Sequence, residues 1–221
     1  MIRRKRDDLF KNLAVRSRPV RVQIELTESC NLRCIHCFLG EDHGPGDEID
    51  ADAFEKLLGQ LRAAGVFHIN LTGGEIFGHS QIERILDIAL SSDFIITLQT
   101  NGTLVREEHI KKIAEQTRKI RCVAISLYGA SPAVHERITG VPGSYAETLD
   151  TVKKCVASGV ETEVSTLLMT ANYHEMNEVD ELCREIGVKH QFYSIVLPRR
   201  SGDSEPLKYR LPEEYLKNIP S

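Results

Sequence analysis

Arg21-Val22-Gln23-Ile24-Glu25-Leu26-Thr27 alternates charged or polar side chains with aliphatic ones, and the chain then enters Cys30-Asn31-Leu32-Arg33-Cys34-Ile35-His36-Cys37. A period of two puts Val22, Ile24 and Leu26 on one face of a strand, opposite Arg21, Gln23, Glu25 and Thr27. Reading Val20–Thr27 as that strand, the same pattern recurs downstream. In Val66–Thr72, Phe67, Ile69 and Leu71 oppose His68, Asn70 and Thr72. In Phe94–Thr100, Phe94, Ile96 and Leu98 oppose Thr97 and Gln99; in Ile120–Tyr128, Val123, Ile125 and Leu127 oppose Ala124 and Ser126. Val160–Leu167 and His190–Leu197 complete six strands.

Amphipathic helical stretches lie between them, near 51–64, 80–91, 106–117, 144–158 and 174–187. Asp50 is placed to cap the first, and Gly65, Gly159 and Gly187 follow three of the ends. Strands alternating with helices imply an α/β fold of right-handed crossovers and a parallel sheet. A parallel strand buried on both faces should be apolar on both. Here the apolar row must meet the helices, which leaves the polar row lining a concave interior. The expected architecture is a partial (β/α)6 barrel of the TIM type, parallel-stranded and open on one side, holding a cavity where a closed barrel packs bulky side chains. Ordinary strands with one wet face are the alternative.

At 221 residues, 41% hydrophobic and 27% charged, the chain suits one soluble globular unit. A net charge of −4 argues against a general polyanion binder, so no nucleic-acid partner is expected. No run approaches the roughly 18 apolar residues of a membrane span, and the first residues lack a signal-peptide apolar region. A cytoplasmic location without a membrane partner is expected. Residues 1–19 read as a basic N-terminal extension (Arg3, Arg4, Lys5, Arg6, Lys11, Arg16, Arg18), 20–197 as the core, and 198–221 as a linker or the start of a missing C-terminal domain, with a helix beginning at Leu211-Pro212-Glu213-Glu214.

Of six cysteines, three fall within Cys30–Cys37, while Cys122, Cys155 and Cys183 sit in apolar periodic segments and read as small buried hydrophobes. Thiolates in one short loop are soft ligands for an iron–sulfur cluster. Three of them leave one iron without a protein ligand, open to substrate or cofactor, which points to catalysis. Zinc is the competing reading, with His36 or His43 as a fourth ligand, although the second pair of a closed zinc site is lacking.

Cys-x3-Cys-x2-Cys is the signature of the radical S-adenosylmethionine (SAM) superfamily, and this chain resembles it over roughly residues 20–200. The resemblance implies a [4Fe-4S] cluster held by Cys30, Cys34 and Cys37, with SAM at the open iron. Thr72-Gly73-Gly74-Glu75 resembles the Gly-Gly-Glu motif that holds the methionyl amino group: the glycines admit a close approach and the carboxylate meets an ammonium. Gln99-Thr100-Asn101-Gly102 resembles the Thr-Asn-Gly turn of the superfamily and puts Asn101 among the cofactor contacts, though a plain Asn-Gly turn is the other reading. Ser126 matches a serine that contacts the ribose, and His36 a position lying against adenine.

Two departures appear. Relatives often carry His-Asp-x-x-Arg-Gly after the fourth strand, whereas this chain has His135-Glu136-Arg137-Ile138-Thr139-Gly140, so Arg137 becomes the candidate arginine. Ile76-Phe77 replaces a common proline after Glu75.

The resemblance further implies that reductive cleavage of SAM gives methionine and a 5′-deoxyadenosyl radical, with an external flavodoxin- or ferredoxin-type electron donor. Val141-Pro142-Gly143-Ser144-Tyr145 and Pro198-Arg199-Arg200 resemble the peptide- and protein-modifying SPASM/twitch branch, which implies a peptide or protein substrate. That branch continues into a C-terminal auxiliary-cluster domain, and no cysteine follows Cys183 here. An enzyme acting on a haem precursor, or a truncated non-catalytic cluster-binding core, are the alternatives.

Overall fold

A computed structural model describes residues 19–40, 46–217 and 219. The basic N-terminal run up to Arg18 and the candidate zinc ligand His43 lie outside the described residues. Six strands form one sheet in the order β1 to β6: Arg21–Glu25, His68–Thr72, Ile95–Thr100, Ile120–Ser126, Thr162–Leu167 and Lys189–Tyr193. Each pairs in parallel with the next in sequence, which leaves β1 and β6 as the free edges among the described residues. The expected α/β partial barrel, open on one side, is the observed fold.

The helices are α1 (Ala51–Ala63), α2 (Ile82–Ser91), α3 (Glu107–Ala114), α4 (Pro132–Thr139), α5 (Ser144–Ala157), α6 (Met176–Ile186) and α7 (Glu213–Leu216). Asp50 caps α1 as expected, accepting the Asp52 and Ala53 amides. Gly65, Gly159 and Gly187 all take positive φ after their helices. Helix faces such as Phe54 and Leu58, Ile85 and Leu86, and Val179 and Cys183 pack on the apolar strand row of Ile24, Ile69, Ile96, Ile125 and Val164 in one cluster. Cys122, Cys155 and Cys183 are buried, as their apolar surroundings suggested.

Three expectations need correction. Helix α4 is a further helix beyond the five expected from the sequence. Its signals are short but complete: Ser131 accepts the Val134 amide, Pro132 occupies the first turn, Val134 and Ile138 share one face, and Gly140 ends it with φ of 71°. The sixth strand stops at Tyr193, four residues before its apolar run ends, because the chain leaves the ladder to turn back over the mouth. Phe67, assigned to the helix-facing row, precedes β2 and is 38% exposed.

The polar row does face inward, and its lower part is more buried than a wet face would be. His68 donates to or accepts from Thr97 Oγ1 at 3.0 Å, and Asn70 donates to Gln23 at 3.3 Å. Burial, then the nearby cations Arg21 and Arg121, lowers the His68 pKa from 6.5 to about 4. Burial does the same for His135, whose Nδ1 accepts the Tyr128 amide at 3.1 Å.

Both histidines are therefore neutral in the fold, while the unfolded chain takes up their protons below about pH 6.5. Stability should be full above pH 6.5 and fall as pH drops towards 4, by about 1–2 kcal/mol per histidine at pH 5. Denaturation midpoints measured between pH 7 and 5 check this; a midpoint that holds or rises over that range contradicts it.

Candidate functional site

The site is assembled from loops that leave the carboxyl ends of consecutive strands. After β1, the backbone amides of Arg33 and Ile35 donate to the carbonyls of Thr139 (2.7 Å) and Ile138 (3.0 Å) at the end of α4. The cysteine loop thus hangs on a helix terminus whose last carbonyls have no intrahelical partner. Gly140 makes room for it, since a Cβ there would sit 2.9 Å from the Arg33 carbonyl. The Arg33 guanidinium folds back onto the Cys30 and Leu32 carbonyls, both at 2.9 Å, and a Cys37-to-Cys34 backbone bond closes the last turn.

This geometry brings Cys30, Cys34 and Cys37 to the wall of a cavity of about 350 Å³. All three are half-buried free thiols. The Cys30 sulfur accepts N–H groups from Leu32 (3.5 Å) and Asn101 (3.8 Å). Burial raises the pKa of Cys30 and, more strongly, of Cys34, where the neighbouring Cys30 and Cys37 add repulsion. Thiols crowded this way ionise together only around a cationic occupant.

Among the described residues no three His, Cys, Asp or Glu side chains close on a single metal ion. Tetrahedral zinc would need its sulfurs about 3.8 Å apart. A cluster takes each thiolate on a different iron and accepts wider spacing. Three soft thiolates on one wall are the donor set that an iron–sulfur cluster takes.

His36 lies in the same cavity with its ring edge-on to Tyr128 at 4.8 Å. Burial lowers its pKa to about 4, so the ring is neutral. Its Nδ1 is buried without a hydrogen-bond partner, a group of the kind a ligand satisfies. Ser126 lines the same cavity and shares a side-chain hydrogen bond with Tyr128.

Gly73 and Gly74 also line the cavity, but the close approach they permit is to the chain itself. A Cβ would lie 2.4 Å from the Thr27 carbonyl at Gly73 and 2.1 Å from the Ser29 carbonyl at Gly74. The Gly74 and Glu75 amides donate to those same carbonyls at 2.7 and 2.8 Å. The glycines thus clasp the strand that feeds the cysteine loop.

Glu75 is 1% exposed and lies behind the cavity wall. Its carboxylate accepts the Phe77 amide (3.0 Å), the Thr100 hydroxyl (2.6 Å) and the Asn101 amide (2.6 Å). Burial raises its pKa against the opposing pull of those bonds. It ties the end of β2 to the end of β3. Asn101 extends that tie into the cysteine loop by donating to Asn31 at 3.0 Å.

Arg137 is not brought to the site. It is exposed and donates to the Ala171 carbonyl at 2.7 Å. Thr139, at the position of the family arginine, is buried against Ser144 at 2.7 Å, so its side chain does not reach the cavity. Sequence reasoning missed Tyr128, Gln99 and Phe38 as lining residues. Tyr128 was findable, standing two residues beyond Ser126 and so on the same strand face.

The family model of the Radical SAM superfamily matches residues 24–186. The subtilosin biosynthesis protein AlbA of Bacillus subtilis is 32% identical over 178 residues, 80% of this chain and 40% of that protein. An AdoMet-dependent heme synthase of Methanosarcina barkeri is 24% identical over 192 residues, 86% of this chain and 54% of that protein. The chain thus spans about half the length of these curated relatives. Among solved structures, Streptococcus suis SuiB bound to S-adenosylmethionine superposes with a TM-score of 0.71 at 21% identity, over 81% of this chain and 42% of that one. Native anSMEcpe with bound AdoMet and a peptide gives 0.71 at 20% identity, over 90% of this chain and 58% of that one. Both share the fold.

The glycine clasp predicts a contrast between two Gly→Ala changes. G74A should lower stability by about 1–3 kcal/mol, because backbone must move to admit the methyl. G59A, in the exposed interior of α1 with nothing within 4 Å of a Cβ, should raise it by about 0.5–1 kcal/mol. Urea denaturation of the two variants reads the difference; equal midpoints would remove the clasp.

Proposed function

Because this chain belongs to the radical SAM superfamily, we propose that it cleaves SAM reductively and directs the resulting radical at a peptide substrate. The observation that carries the reading is the sharing of one cavity by three cysteines, the neutral His36 ring, the Thr72–Gly74 turn and Ser126. Cys30, Cys34 and Cys37 would hold a [4Fe-4S] cluster with one iron left open. Such a cluster would supply the single electron for reductive cleavage of SAM to methionine and a 5′-deoxyadenosyl radical able to take hydrogen from substrate.

The chain's own residues position and shield. The N–H groups on the Cys30 sulfur spread its charge, which raises a cluster's potential relative to a bare thiolate. The backbone of the Thr72–Gly74 turn presents carbonyls to an ammonium, and Glu75 braces that turn from behind. Ser126, oriented by Tyr128, offers a hydroxyl to a ribose, and the orphan His36 Nδ1 offers a neutral acceptor or donor to a base. Leu32, 2% exposed, closes the floor beneath the loop against water.

A peptide is favoured as substrate by the relatives: AlbA is named for subtilosin biosynthesis, and SuiB has been solved with a precursor peptide. The cavity offers both polar and apolar lining to one, from Gln99 and Ser165 and from Leu167 and Tyr193. Matches to heme synthases at 24–27% identity support a haem precursor as the second reading. An external flavodoxin- or ferredoxin-type carrier would supply the electron.

Anaerobic reconstitution, reduction and quantification of 5′-deoxyadenosine test the proposal. The wild-type chain should form it and C34A should form none above background. S126A should weaken SAM binding by about fivefold, the scale of one hydrogen bond. A reduced, cluster-loaded wild type that forms no 5′-deoxyadenosine would defeat the reading.

A further inference from the structure

Among the described residues β1 and β6 are the edges of the sheet, and no strand ladder joins them. Beyond β6 the chain turns at Arg199–Gly202 and crosses to the β1 side. The turn supports itself: Arg199 and Asp203 bond through both backbone (2.9 Å) and side chains (2.7 Å), and Gly202 donates to the Arg199 carbonyl at 2.9 Å.

Arg200 at its tip makes three kinds of contact with the other side. Its backbone amide donates to the Phe38 carbonyl at 2.8 Å. Its guanidinium bonds to Glu28 at 2.6 Å and to Glu25, the last residue of β1. The same group lies 5.4 Å over the Phe38 ring. Phe38 directly follows Cys37 and lines the cavity.

We propose that Arg200 is a positioning residue that joins the two free edges of the open barrel across the cysteine loop, fixing Cys37 and the cavity wall at Phe38. A lysine offers one point charge; a guanidinium can fork between two carboxylates and stack on a ring at once. The side chains involved are 29–48% exposed, and ion pairs this exposed are individually weak. The join holds through several partners, and its loss should loosen the loop without unfolding the core.

The inference rests on the radical SAM reading only for what is positioned. R200A, R200K and E25Q/E28Q, made in the full chain, test it. In the cluster-free protein, hydrogen–deuterium exchange across residues 37–40 should quicken by about three- to tenfold in R200A, with β3 unchanged. In reconstituted protein of equal cluster content, R200A should raise the KM for SAM about three- to tenfold while kcat for 5′-deoxyadenosine stays within about twofold.

R200K should recover part of both effects. E25Q/E28Q should reproduce them, and the triple variant should be no worse than R200A, since members of one network do not add. Unchanged exchange at 37–40 in R200A, or fully additive losses in the triple variant, overturns the proposal. Should R200A fold poorly, E25Q/E28Q carries the same test. A wild type that makes no 5′-deoxyadenosine defeats the functional reading alone, and the exchange measurement still judges Arg200.

Discussion

Three ionisable thiols crowded into one half-buried loop form the constraint from which the rest of the structure follows. Such a loop repels itself once ionised, and within Cys30–Cys37 only Leu32 is deeply buried. Its shape is therefore imposed from outside. Two carbonyls at the end of α4 hold its amides, Asn101 reaches its first sulfur, and the Gly73–Gly74 turn grips the strand that delivers it. Each contact comes from the end of a different strand or helix. The loop is ordered only because the barrel is.

The division of labour around Glu75 illustrates how a motif can be read in two ways. A carboxylate after two glycines suggests a ligand for an ammonium. In the structure its oxygens are spent on Phe77, Thr100 and Asn101, joining two strand ends that both face the cavity. A charge buried behind a wall polarises the groups in front of it through the donors it holds. Replacing it would change the wall's shape before it changed any direct contact.

Much of this was legible beforehand because two local signals coincided. Alternation of period two located the first four strands to within about two residues at each end and identified the inward face, including Ser126. The turn residues at strand ends then fell together, because a parallel barrel gathers all such ends at one mouth. What escaped detection depended on partners distant in sequence. The placement of Arg137 is decided by a carbonyl 34 residues away, and nothing local separates an arginine facing a cavity from one facing solvent. Helix α4 escaped for a different reason: eight residues with two apolar positions make a weak periodic signal, so its cap residues had to carry the assignment. The exit from β6 was misjudged because an apolar alternation continues where the hydrogen-bond ladder does not.

The strand order also has a temporal meaning. Every neighbouring pair in the sheet is consecutive in the chain, so each βα unit can dock on the last with a short loop to close. Contacts of this kind cost little chain entropy and form early. The link between Arg200 and Glu28 spans 172 residues and joins the first unit to the last. Of the contacts around the mouth this one closes the longest loop, so the enclosure of the thiols is the part of the fold with the greatest loop-closure cost.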